Sequence, residues 1–321
     1  MVKDEADILP AWLAHAAAVF DEVYLVDHNS KDGTQEIMLQ YAEKRKNFQL
    51  YSLPDDQYSQ AEVINDLAGR AAAKHPDAWI IPLDGDEFLW TRSHSKIINR
   101  LAQLDSIFFP SFPWFNLLPL SLGSDSEIRF SSPYLFQPGP SQYSKTGIHS
   151  QLVREGYRLS RGGHYVIDQS GTPAHQGRYI HLCPYLHLPF RSYDQFFYKC
   201  LLGYDRYAID LAESGENQPG FHYRSMITRI IDQGYFDPGL LRSFVAHYGQ
   251  PEHWMHTHGI QELLAMNWRI QTIDCVQEEV LPEPVRRKNY RDLINIRNHK
   301  YSAADDDLQP FIRIVQDTEP H

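Results

Sequence analysis

Three carboxylates crowd into four residues at Asp84-Gly-Asp86-Glu87, directly after the apolar run Trp79-Ile-Ile-Pro-Leu83. Like charges this close repel one another unless a cation sits among them. Carboxylate oxygens are hard donors, so the fitting cation is Mg2+ or Mn2+. Such an ion can bridge the two phosphates of a nucleoside diphosphate and take up charge on a leaving group. The apolar run reads as a buried strand, and ligands of open α/β sheets bind outside the C-terminal ends of the strands. Asp84 and Asp86 are therefore candidate metal ligands, with Gly85 letting the chain turn and a ligand approach the backbone. The plainer alternative is a solvated acidic turn, which an Asp-x-Asp alone does not exclude.

A second polar turn, Asp27-His-Asn-Ser-Lys-Asp-Gly-Thr34, follows the strand-like Glu22-Val-Tyr-Leu-Val. Asp27 stands at the strand edge, where its carboxylate can accept hydrogen bonds from a base or a ribose. Its neighbours are good turn and cap residues, which is sufficient reason for them on its own. Later in the chain, Arg191 and Lys199 lie near the start of a helix opened by a Ser192/Gln195 capping box. Helix N-termini attract phosphate, and a nearby guanidinium or ammonium adds charge-assisted hydrogen bonds. The alternative is an Arg and a Lys on an amphipathic surface. His253, His256 and His258 are close in sequence, but no carboxylate or Cys follows at ligand spacing. They read as a loop or helix start facing an acceptor.

The elements that must hold these groups alternate over the first ~110 residues, which argues for βαβ units and a largely parallel sheet. Helices are expected over 8–20, 34–44 and 59–74, the last opened by Ser59 and Glu62, and strands over 22–27, 49–53 and 79–83. Residues 113–147 read as long loops with short strands, being rich in Pro, Gly and Ser. A linker is expected at 214–220, a mainly helical stretch from there to about 300, and a polar tail with Asp305–Asp307 beyond. The net charge of −11 sets the protein against nucleic-acid backbones and anionic lipid surfaces, so an anionic ligand needs local positive groups. Three well-separated cysteines suggest neither a zinc site nor a disulfide framework. No stretch approaches ~20 apolar residues, so no transmembrane segment is expected. A cytoplasmic protein, or one peripheral to a membrane, fits these features. No Gly-x-Gly-x-x-Gly, P-loop or Gly-x-Ser-x-Gly occurs.

Taken in order, Lys3-Asp-Glu-Ala-Asp-Ile-Leu-Pro-Ala-Trp-Leu13, the Asp27–Thr34 turn, Asp84-Gly-Asp-Glu-Phe88 and His187-Leu-Pro-Phe-Arg-Ser-Tyr-Asp-Gln-Phe-Phe-Tyr-Lys199 resemble the family 2-like glycosyltransferases. The likeness spans roughly residues 1–203 and is nearest the branch whose motif ends in Asp-Glu-Phe. It implies a GT-A fold, a UDP- or GDP-sugar donor, a divalent metal and an inverting transfer to a glycan or other hydroxyl acceptor in glycan synthesis. By the same likeness Asp27 lies near the base or ribose, Asp84 by ribose and metal, and Asp86 on the metal. His187 matches the branch's metal or diphosphate histidine, Asn65 falls where a donor-contacting Asn is common, and Lys145 and His164 match scattered positions. Members of the family usually have a full first strand before the Lys-Asp-Glu segment; here Met1 and Val2 precede it. A general base is also needed, and Asp168 is the first candidate, His164 the second.

The expected organisation is thus α/β: a GT-A domain over 1–213 that binds the nucleotide-sugar, and a helical C-terminal extension over 214–321 on the acceptor side. Two other classes share some of these features. A sugar nucleotidyltransferase also holds a metal at strand-end carboxylates, but usually shows a Gly-rich, basic loop after its first strand. A non-catalytic nucleotide-sugar binder would keep the fold and bind without turnover.

Overall fold

In Val23–His28 (β1) all positions but Tyr24 are buried, and the strand pairs in parallel with Phe48–Leu53 (β2) from Val23↔Phe48 to His28↔Leu53. The computed structural model describes residues 1–53, 60–91, 93–122, 130–214, 221–248, 258–276, 289–294 and 308–317. The crossover between the two strands is the helix Thr34–Lys44 (α2), which follows a left-handed Gly33 at φ 106°. Leu9–Val19 (α1) precedes β1, with Pro10 in its first turn and eight buried residues, among them Trp12 and Leu13. The third helix, Gln60–Lys74 (α3), buries Val63, Ala68, Ala71 and Ala72. Ser59, and with it the expected capping box, lies outside the described residues.

The strand expected over 79–83 is shorter. Trp79–Ile80 (β3) pairs antiparallel with Ile148–His149 (β8), and the chain then turns through the acids into Glu87–Leu89 (β4). His94–Leu101 (α4) follows. The segment from 113, expected as long loops with short strands, instead holds most of one long strand, Phe109–Pro119 (β5). It holds Pro110, Pro113 and Pro119, yet pairs on both sides because proline keeps its carbonyl acceptor. Gly147 N–H, for example, donates to Pro110 O at 2.8 Å. Antiparallel partners of β5 are Pro133–Phe136 (β6) and Ser144–Thr146 (β7). Parallel partners are Tyr179–His181 (β11) and Tyr185–His187 (β12). Between them lie Ser150–Arg154 (α5) and a two-stranded ribbon of Arg158–Leu159 (β9) and Val166–Ile167 (β10).

Tyr193–Ser214 (α6) leads into the C-terminal part, with Phe221–Gln233 (α7), Pro238–Ala246 (α8), Ile260–Ala265 (α9) and a helix at Gln309–Asp317. Of the linker expected over 214–220, Ser214 instead ends α6; residues 215–220 and the acidic tail at Asp305–Asp307 lie outside the described residues. The helical stretch is interrupted by Arg269–Thr272 (β13), which adds antiparallel to β6. One apolar core joins Leu118, Leu135 and α6 residues such as Phe196 and Phe197 to Phe244, Leu293 and Phe311. A second, on the other side of β5, gathers α1, α2, β1 and Phe88. The molecule is an α/β protein whose sheets carry parallel strands flanked by helices, with a helical C-terminal part. Among the described residues no helix is long and apolar enough to cross a membrane.

Candidate active site

Register brings the chemistry together. Strand β12 lies between β4 and β5, with His187 opposite Glu87 on one side and Asn116 on the other. Leu188 N–H then donates to Asp86 O at 2.9 Å, so the acidic turn is hung from the end of β12. Trp12 Nε1–H holds the same turn from α1, donating to Asp84 O at 2.8 Å. Gly85 is not in a left-handed conformation. Its requirement is space, since a Cβ there would stand 3.0 Å from Val2 Cγ1.

Each aspartate of the turn has its own neutralising group. Lys145, from β7, is wholly buried and donates to Asp84 Oδ2 at 2.5 Å, with Glu87 Oε1 3.5 Å away. Lys199, on the first turns of α6, donates to Asp86 Oδ2 at 2.6 Å and to Pro189 O at 3.2 Å. Burial opposes the charge on both aspartates, but Lys145 keeps Asp84 below the usual carboxylate range, and Lys199 and His187 do so for Asp86. Burial pushes Glu87 the other way, well above the usual carboxylate range. His187 Nε2 lies 3.9 Å from Asp86 Oδ1, and its Nδ1 is 2.8 Å from Asn116 Oδ1. With that oxygen accepting, Nδ1 holds the proton and Nε2 presents a lone pair. Burial lowers the imidazole to about 4, so it is neutral near pH 7. Its ring stacks on Trp114 with centroids 4.4 Å apart.

Arg191 reaches the opposite wall. Its guanidinium donates to both oxygens of Asp7, at 2.7 and 2.9 Å, to Glu5, and to Tyr290 Oη at 3.1 Å. Arg191 therefore ties the start of α6 to the Lys3–Asp7 segment and to the C-terminal part; its expected role on a phosphate does not match these bonds. The capping box is also rearranged: Gln195 N–H donates to Ser192 Oγ, but the Gln195 amide accepts from Arg191 N. The Lys3–Asp7 segment is clamped to the Asp27–Thr34 turn, with Ala6 N–H on Asp32, Glu5 N–H on Thr34 and Asp4 N–H on Ser30. Asp27 itself is buried and accepts from Ser30 N–H at 3.3 Å; burial raises it.

Two expectations are corrected by these contacts. Asp168 is not gathered into the cluster. Its carboxylate accepts from the Ser170 hydroxyl, the Thr172 hydroxyl and the backbone of its own exposed turn, which hold it at about 2. Lone pairs so engaged make a poor base. Asn65 is not an open donor contact: its amide bonds Ala61 O, Leu159 O and Leu159 N–H, fastening α3 to β9. His164 does come close. Its Nδ1 lies 2.9 Å from Ser144 O, its ring centroid is 5.3 Å from that of Trp114, and burial, with Lys145 nearby, lowers its pKa.

Residues 1–151 match the family model described as glycosyl transferase family 2. This part of the chain is a family 2 glycosyltransferase domain. The acidic turn, the Asp27 turn and Lys145 all fall within the match, whereas His164, His187, Arg191 and Lys199 lie beyond it and are placed by the structure. No curated protein matches the chain. Glu5, Asp7, Asn116, Trp114 and Tyr290 are the site residues that pattern reading passes over. Glu5 and Asp7 lie within a recognised segment, so their proximity to that motif was the one available signal; Asn116 and Trp114 sat in a stretch read as loop.

Among the described residues no group of three or more His, Cys, Asp and Glu side chains is arranged to hold a metal. Asp86 and His187 nevertheless fit a divalent cation as a pair. Their 3.9 Å separation is less than two ligand bonds of ~2.1 Å laid end to end. A neutral imidazole with its second nitrogen hydrogen-bonded is the usual form of a metal-binding histidine. Asp84 is directed at Lys145 instead.

Proposed function

We propose that this glycosyltransferase moves a sugar from a nucleoside-diphosphate sugar to an acceptor hydroxyl, with Mn2+ or Mg2+ held by Asp86 and His187. The observation that supports it is the facing of Asp86 Oδ1 and His187 Nε2 beside the Lys199 ammonium, at the end of β12. When bound, the cation would supply Lewis-acid stabilisation of diphosphate charge. Lys199 and Lys145 bring two further positive charges to the same turn. Asp27 and the polar turn after it are the donor's nucleoside side.

The reaction follows from these placements. An acceptor oxygen forms a bond to the anomeric carbon as the bond from that carbon to the phosphate oxygen breaks. The nucleoside diphosphate leaves with the electron pair, next to Lys199. The acceptor's proton goes to a base, and His164 is the residue we assign: neutral, with Nδ1 oriented by Ser144 O, it can accept at Nε2. Attack opposite the leaving group inverts the anomeric centre. The catalytic domain is taken as 1–213 and the C-terminal part as the acceptor side, in contact with the site through Tyr290 and Arg191. The Asp-Glu-Phe ending supports assignment to the corresponding branch of family 2.

The test is turnover. With a panel of nucleotide sugars and hydroxyl acceptors in Mn2+, the protein should release nucleoside diphosphate, and Asp86→Ala should lose at least ~10^2-fold in kcat. Normal turnover by that variant at low metal would defeat the reading. Binding of a nucleotide sugar with no release over the whole panel would mean a binder, not a transferase.

A further inference from the structure

Beside the aspartate–histidine pair stands a group of aromatic rings centred on Trp114. His187 stacks on the indole, and three further rings surround it: His164 at 5.3 Å, Tyr143 at 5.7 Å and Tyr248 at 6.3 Å between centroids. Tyr248 also meets the His187 ring at 5.3 Å and the Tyr143 ring at 6.4 Å. Trp114 is 5% exposed, whereas Tyr143 and Tyr248 are half-buried. The transfer as described above gives Trp114, Tyr143 and Tyr248 no part.

The rings come from separate segments, and the backbone fixes them in place. Phe112, Trp114 and Asn116 alternate onto one face of β5. Lys145 is the cross-strand partner of Phe112 and His187 that of Asn116, so Trp114 sits between the two. Trp114 N–H donates to Tyr143 O at 3.2 Å and Ser141 N–H to Trp114 O at 2.7 Å, which holds the approach to β7 against the strand. Tyr248 follows α8, and its phenol shares a hydrogen bond with that of Tyr223 on α7. The C-terminal part thus supplies one wall of the group.

Packing alone does not account for this group. Trp114 Nε1–H is buried and has no hydrogen-bond partner among the described residues. A buried indole N–H usually finds one, and leaving it unpaired costs free energy. The unmet donor calls for an oxygen that arrives with a ligand. An alkyl chain would cover the tyrosine faces but leave the N–H unpaired. A sugar ring brings both an apolar C–H face and a rim of hydroxyl oxygens. We propose that Trp114, Tyr143 and Tyr248 form a saccharide subsite: the acceptor hydroxyl is carried by a sugar ring stacked on the tyrosines, with one of its oxygens accepting from Trp114 Nε1–H. His164, 5.7 Å from Tyr143 between centroids, borders the same ring, where the acceptor's proton leaves. As an acceptor subsite it rests on the transferase reading; as a saccharide site it does not.

The experiment is saturation-transfer NMR on the full chain, with and without Mn2+ and UDP or GDP. The probes are lactose and the methyl glycosides of glucose, galactose, mannose and N-acetylglucosamine. At least one should receive saturation. Tyr143→Ala should raise its Kd about tenfold, whereas Tyr143→Phe, which keeps the ring, should stay within about threefold. Trp114→Phe, which keeps a ring but loses the N–H, should raise it about threefold to tenfold. Thermal unfolding of each variant shows that it is folded. Transfer to none of the saccharides under any of these conditions would overturn the proposal. So would an unchanged Kd in either Tyr143→Ala or Trp114→Phe. Turnover confined to a polyprenyl phosphate or a serine peptide, with no saccharide bound, would overturn it and keep the transferase reading. Saccharide binding without turnover would support the subsite and defeat that reading.

Discussion

Lys145 has no exposed surface, and its ammonium stands between the carboxylates of Asp84 and Glu87. Removing one partner of such a buried pair leaves an uncompensated charge. Lys145→Met should therefore lower stability by about 3–5 kcal/mol in denaturant unfolding, and adding Asp84→Asn should restore part of the loss. Asn116 is 1% exposed and its oxygen sets the tautomer of His187. Asn116→Leu should weaken Mn2+ binding about 10–100-fold by titration followed with electron paramagnetic resonance, as loss of outer-shell partners does. At this scale the sequence was half legible. The acidic turn, His187, Lys145 and Lys199 could be named because their types and order are distinctive. The pairing of each acid with a particular base could not, since Lys145 and Asp84 are 61 residues apart. Asp168 misled because a carboxylate in sequence looks the same whether it faces a cleft or caps its own turn.

Among the elements, α2 was read at its observed bounds because a glycine with positive φ, a Thr and a regular apolar period mark its start. Strand β5 was not read at its full length: prolines and aromatics without alternation signal loop, although all but Pro113, Phe115 and Pro119 of its residues are buried, most of them between sheet partners. The packing of α6 on α7 turns on a single small residue. A Cβ on Gly203 would lie 2.1 Å from Tyr223 Cδ2, with the rest of that ring close behind. Gly203→Ala should separate the two helices and destabilise the protein by roughly 1–3 kcal/mol in thermal or denaturant unfolding. Because α6 also presents Lys199, the same change should raise the KM for the donor.

At the scale of the molecule, burial lowers the imidazoles of His15, His164 and His187. His15, which accepts from Leu89 N–H at 3.0 Å, and His187 are both lowered from 6.5 to about 4. The unfolded chain takes up these protons near pH 6.5 and the folded chain only near 4. Their contribution to stability is thus complete above about 6.5, falls as the pH drops through that window, and changes no further below about 4. Glu5, raised by burial to about 7, works in the opposite sense between 4.5 and 7. Urea unfolding at a series of pH values should show the acid loss, shallower by about one proton in His15→Gln. The shared core of α6 with residues beyond 220 was not visible in the sequence. Contacts such as Phe197 with Phe311 join segments with no common motif.

The central claim is that Asp86 and His187 hold a cation against the donor's diphosphate. Thermal unfolding in the presence of nucleotide sugars, with and without Mn2+, tests it most directly. One UDP- or GDP-sugar should raise the Tm only when Mn2+ is present, and Asp86→Asn should abolish that rise while still folding. An equal rise without metal, or in the Asp86→Asn protein, would contradict it.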